Sequence, residues 1–213
     1  MSGSDSSFAA CESRVETSFA HCENAAAGQV EPARPLEQRI FIVGTSAAGK
    51  TTFARRLGEA LQLPVIELDE LHWSPNWQEK PTEELSRLIV EATDCPAWVV
   101  DGNYGSIRDV LWPRASIVVW LNYSLPRVLW RGVTRTFRRS FLRERLWHGN
   151  RESFRRALLS RDSILLWIIS THRRRKCEFR ELQSSGQFPQ LRWTEFTRPS
   201  QSEEWLREHS RAG

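Results

Sequence analysis

The sequence predicts an α/β fold, a five-stranded parallel sheet in the order 2-3-1-4-5 with helices on both faces. Three observations predict it. Short apolar segments alternate along the chain with amphipathic helical ones, the pattern of a parallel sheet covered on both sides. Three of the segments, 40–43, 97–101 and 116–121, are almost continuously apolar, as central strands must be, whereas 65–68 and 191–196 carry the polar residues that edge strands tolerate. Between the first strand and the first helix stands Gly44-Thr45-Ser46-Ala47-Ala48-Gly49-Lys50-Thr51, which fits the phosphate-binding pattern G-x-x-x-x-G-K-[ST].

Residues 1–37 are rich in Ser, Ala and Glu and lack sustained apolar periodicity, so they read as a disordered or loosely structured tail before a single domain, 38–213. The first strand is followed by a helix over about 49–61, with Phe53, Ala54, Leu57 and Leu61 at helical spacing. Pro64 precedes the second strand, which ends at Asp69. The stretch 69–77, dense in aromatic and polar groups, reads as a loop. The next helix starts near Pro81 and runs to about Thr93, with Leu85, Leu88, Ile89 and Ala92 on one face. The third strand ends at Asp101, a short helix covers about 106–111, and the fourth strand is 116–121. Pro126 then opens a helix on which Leu125, Leu129, Val133 and Phe137 form the expected apolar face, while Arg127, Arg131, Arg135 and Arg138 line another. An Arg-rich lid is expected over about 138–162. After the fifth strand, Ser200 and Glu203 have the spacing of a capping box for a C-terminal helix to about His209.

The loop explains its own residue types. Backbone N–H groups must wrap a polyphosphate, so side chains there are small, and Gly44 and Gly49 allow the turn and the close approach. The helix that follows points its positive end at the phosphates. Gly44, Thr45, Ser46, Ala47, Ala48, Gly49, Lys50, Thr51 and Thr52 are thus the expected ATP-binding residues. Lys50 is expected to bridge the β- and γ-phosphates, and the Thr51 hydroxyl to ligate Mg²⁺. Asp101, at the carboxyl end of an apolar strand beside the loop, is the expected second metal ligand, the alternative being a turn cap before Gly102. Asp69 is expected to orient or deprotonate an acceptor hydroxyl, the alternative being a turn residue. Arg131 and Arg135 are expected to act on the transferring phosphate, and Arg173, Arg174 and Arg175, being consecutive, are not.

Of 30 basic residues only three are Lys, yet Lys50 occupies the loop position where a compact ammonium fits better than a guanidinium fork. Residues 127–180 hold 16 Arg or Lys against four acids, a stretch that should meet phosphate on a nucleotide or on nucleic acid. No apolar run is long enough to span a bilayer, the N-terminus has no signal pattern, and the four cysteines lack metal or redox spacing. A cytoplasmic monomer or homodimer is expected.

Four stretches carry a family resemblance: the loop itself, Leu68-Asp69-Glu70-Leu71-His72-Trp73-Ser74-Pro75-Asn76-Trp77, Trp98-Val99-Val100-Asp101-Gly102-Asn103-Tyr104, and Arg145-Leu146-Trp147-His148-Gly149-Asn150-Arg151-Glu152. Over roughly 39–210 the chain resembles the adenylate-kinase-like P-loop proteins of the bacterial topology modulation or flagellin-regulating (FlaR-type) group. The resemblance implies a nucleoside-monophosphate-kinase-like P-loop NTPase fold, ATP with Mg²⁺, and transfer of the γ-phosphate to a small acceptor, a nucleotide among the candidates. The alternative is an ATP-binding or ATP-hydrolysing protein that binds nucleic acid through its basic helices. Three departures bear on the acceptor. Asn103-Tyr104-Gly105 replaces the usual aromatic-Pro-Arg of nucleotide kinases, Ala47 stands where many such loops have Gly, and Asn122 stands where an acid is common.

Overall fold

The computed structural model describes residues 38–142 and 164–211. The expected tail, and all of the expected lid beyond residue 142, lie outside the described residues. The strands of the main sheet are β1 (Arg39–Gly44), β2 (Val65–Glu67), β3 (Trp98–Asp101), β4 (Ile117–Leu121) and β5 (Arg192–Phe196). They pair in parallel in the order β2-β3-β1-β4-β5, as the distribution of polar residues among the strands predicts. The helices are α1 (Lys50–Leu61), α2 (Leu68–His72), α3 (Thr82–Ala92), α4 (Arg108–Leu111), α5 (Leu125–Leu142), α6 (Ile164–Ser184) and α7 (Pro199–Arg211).

Alternation along the central strands builds two cores. Phe41 and Val43 of β1 point to one face of the sheet, where they meet Leu85 and Ile89 of α3, Leu111 of α4 and Phe179 of α6. Ile40 and Ile42 point to the other, against Phe53, Ala54 and Leu57 of α1 and Leu206 of α7. Both faces of β1 are apolar because both are covered. The registers Ile42↔Asp101 and Gly44↔Leu121 bring the carboxyl ends of β1, β3 and β4 to one edge. Ligands of open α/β sheets bind at that edge.

The structure departs from the sequence reading in four places. β2 ends at Glu67, and Asp69 lies in the first turn of α2. The stretch read as a loop is α2 followed by an antiparallel ribbon, Trp73–Ser74 with Gln78–Glu79, too short for periodicity to reveal. On α5 the buried positions are Val128, Gly132 and Thr136, while Phe137 is 54% exposed. α5 packs along α6, and small residues allow close approach where a purely hydrophobic stripe does not predict it. The Ser200–Glu203 capping box does not form. Gln201 Oε1 instead accepts from the N–H groups of Thr197 (2.9 Å) and Arg198 (3.0 Å), and Glu203 holds Arg56 in a two-pronged ion pair. The cap sits two residues earlier because Pro199, with no N–H to offer, takes the first helical position.

Candidate active site

The first bond of α1 runs from Phe53 N–H to Gly49 C=O, at 3.0 Å. The amides of Lys50, Thr51 and Thr52 therefore precede the helical ladder, at the positive end of a twelve-residue helix. Gly49 has φ +94°, and a Cβ there would run into the guanidinium of Arg131. The glycine is needed for the backbone turn, and a side chain there would also displace the arginine that lies over it. Ala47 has φ +64°, which explains why a glycine is common at that position in such loops. A left-handed alanine costs about 1 kcal/mol. Thr45 and Ala48 are buried, and Ser46 is half-buried. A bond from Ala48 N–H to Thr45 C=O (3.0 Å) closes the turn.

Thr51 Oγ1 donates to Asp101 Oδ2 at 2.5 Å. Asp101 is 5% exposed, and its Oδ1 has no hydrogen-bond partner among the described residues. Burial pushes the Asp101 carboxyl up to about 6, against the pull of Lys50 and of the Thr51 hydrogen bond. Desolvation likewise lowers the Lys50 ammonium below its ordinary value, although Asp101 and Asp69 both favour its charge. An orphaned carboxylate oxygen and a hydroxyl are hard donors that suit Mg²⁺, which takes few protein ligands and completes its shell with phosphate and water. No cluster of three His, Cys, Asp or Glu side chains able to hold a metal occurs among the described residues.

Asp69 Oδ1 accepts from the Tyr104 hydroxyl at 2.6 Å. Burial first, then the Asp69 charge, raise the Tyr104 pKa far above its usual value, so the phenol stays a donor. Tyr104 also packs on His72 (ring centroids 4.5 Å), and His72 on Trp73 (4.8 Å).

Three arginines reach the loop. Arg131 lies over Gly49. Arg135 and Arg175 are both near enough to Lys50 to depress its charge. Arg173 and Arg174 are exposed. The sequence reading left Arg175 out with its neighbours, and the structure separates it from them. Arg175 Nη1 donates to Asn103 C=O at 2.9 Å, and burial lowers its pKa. The signal was present in the helical period, because Ile168, Thr171, Phe179 and Leu182 are buried on the face that Arg175 shares. Asn103 and Tyr104 were noticed as part of a stretch that carries the resemblance and as departures from the nucleotide-kinase motif, with no role assigned.

No family model matches the chain, and no curated protein sequence matches it. Solved structures do. Shikimate kinase from Acinetobacter baumannii in complex with shikimate is 20% identical, with a TM-score of 0.53 over 81% of this chain and 90% of that one. Shikimate kinase from Bacteroides thetaiotaomicron is 17% identical (TM-score 0.49; 82% and 97% covered). A gluconokinase from Sinorhizobium meliloti is 19% identical (TM-score 0.47; 84% and 92%). The first likeness shows the fold, an α/β fold built on a five-stranded parallel sheet. The other two are too loose to add to it.

Proposed function

We propose that this protein is a kinase that transfers the γ-phosphate of ATP to a hydroxyl group of a small, unphosphorylated acceptor. The observation that carries the reading is convergence. Lys50, the Thr51–Asp101 pair, Asp69 held by Tyr104, and three arginines reach one loop from α1, β3, α2, α5 and α6.

The loop amides and Lys50 hold the β- and γ-phosphates, and Arg131, Arg135 and Arg175 meet the charge on the transferring oxygens. Mg²⁺ on Thr51 and Asp101 supplies further neutralisation of the phosphates when bound. Asp69, steadied by Tyr104, takes the acceptor's hydroxyl proton. The acceptor oxygen forms the new O–P bond, the bond to the bridging oxygen breaks, and ADP leaves.

The acceptor wall supports an acceptor without phosphate. Residues 65–79 contain no Lys or Arg, Lys80 following directly, and of the neighbouring arginines Arg55 pairs with Glu67 (2.6 Å) and Arg108 with Glu178. A phosphorylated acceptor brought to Asp69 would set its phosphate against that carboxylate. Membership of the topology modulation or flagellin-regulating group is part of the same reading, supported by the order of the four stretches that carry the resemblance. So is a cytoplasmic site of action. No described helix is long and apolar enough to cross a membrane.

ADP release, measured against a panel of sugars, hydroxy acids, nucleosides and nucleotides, tests the reading. Turnover should depend on one acceptor class and should vanish in Lys50→Ala with the melting temperature intact. Normal turnover in that variant would end the proposal. The nucleic-acid reading makes the opposite demand, a binding that falls steeply with salt and survives loss of Lys50.

A further inference from the structure

The turn after β3 carries a contact that the transfer chemistry does not use. The last backbone bond between β3 and β1 runs from Gly102 N–H to Ile42 C=O, at 3.4 Å. There the chain leaves the sheet. Gly102 has φ +157°, and a Cβ on it would strike the side chain of Leu68. The backbone of residue 103 therefore does not carry the ladder on to Gly44. Its side chain does. Asn103 Nδ2 donates to Gly44 C=O, and Asn103 Oδ1 accepts from Gly44 N–H at 3.1 Å. A carboxamide is a peptide group on a short stem, presenting one donor and one acceptor side by side. The backbone oxygen of the same residue accepts from Arg175 on α6.

We propose that Asn103 is a positioning residue for the phosphate loop, its amide replacing the missing strand rung and fixing the loop's first residue beside Asp101. The loop's amides can converge on one phosphate only if both its ends are held. α1 holds the exit, since Lys50 is its first residue. At the entrance β1 ends at Gly44, still in register with Leu121 of β4, and on the other side the Asn103 bridge takes over where β3 has left the sheet. Aspartate has the same shape but cannot donate, and alanine can do neither. Arg175 ties this arrangement to α6 and braces the loop's clamp. The inference goes beyond the identity of the acceptor and needs only phosphate binding at the loop.

The test compares wild type, Asn103→Ala and Asn103→Asp, with Lys50→Ala as the control for the loop itself. Dissociation constants for ADP and for inorganic tripolyphosphate are measured by calorimetry, beside each variant's melting temperature. Tripolyphosphate touches only what holds phosphate, so it separates the loop from the adenine pocket. Both Asn103 variants should bind both ligands at least about tenfold more weakly, with aspartate no better than alanine, while the melting temperature moves by only a few degrees. Should alanine fail to fold, the isosteric aspartate carries the test. Affinities within twofold of wild type would overturn the proposal, as would a loss that aspartate restores. If wild type and Lys50→Ala bind alike, the phosphate-loop reading itself has failed, which is a different result.

Discussion

Helices α5 and α6 are both rich in arginine, and they bring arginine to the site by different rules. On α5 the arginines recur at intervals of three or four, so Arg131 and Arg135 turn toward the loop together. On α6 three arginines are consecutive and fan by about 100° per residue. Only Arg175 falls in phase with buried Thr171 and Phe179, and Arg173 and Arg174 face solvent. Phase against the packed face, rather than density of charge, decides which cation is turned toward the loop. A basic run read as one block hides that division.

The largest break in the comparison should come from α5. Arg131→Ala is expected to lower kcat by about 10³-fold, the effect of losing a transition-state arginine. Steady-state ATP turnover with the best acceptor measures it, and a rise in KM with kcat unchanged would assign Arg131 to ground-state binding. The acid beneath the arginines should give the next effect. Asp101 must be ionised to hold a metal, and its pKa lies at about 6. The metal-dependent kcat/KM should therefore fall about tenfold per pH unit below that value, and the Asp101→Asn variant should lack this limb. The stability linkage has the opposite sense. A carboxyl raised from 3.8 to about 6 favours the protonated fold by about 3 kcal/mol, a contribution present below 3.8 and lost as pH rises through about 6. A pH titration of wild-type melting temperature against Asp101→Asn reads it.

On α6, Arg175→Ala should lower kcat/KM by about tenfold, less than Arg131→Ala because part of its work is to brace Asn103. The smallest effect belongs to the Arg173→Ala, Arg174→Ala double variant. Its kcat should stay within about twofold, and only its salt-sensitive binding of polyanions should weaken. If the double variant loses turnover and Arg175→Ala does not, the phase rule fails.

What was legible in the sequence was local or periodic. The phosphate loop is a contiguous motif, and the apolar runs of β1, β3 and β4 fixed the strand order, which in turn placed Asp101 beside Thr51. What was not legible depended on partners distant in sequence. α2 spans five residues and shows no period. The Tyr104–Asp69 bond joins segments 35 positions apart. Gly132 and Thr136 are buried because α6 lies against α5, and nothing in their own hydrophobicity announces it. Asn103 was seen as a lapse from a motif, although its place after an apolar strand beside the loop made a backbone-like role available.

Asp101 is held out of water, and that desolvation weighs against the fold. On the proposed reading, nucleotide with its metal would relieve it, so the heat resistance of this protein should track the occupancy of its site. At a ligand concentration of a hundred times Kd, mass action alone adds about 2.7 kcal/mol. A melting curve thus becomes a detector that needs no chemistry. Compounds could be ranked by the further rise they give once a non-hydrolysable ATP analogue is present. An acceptor would disclose itself by raising the melting point beyond the nucleotide's own increment, before any product had been formed.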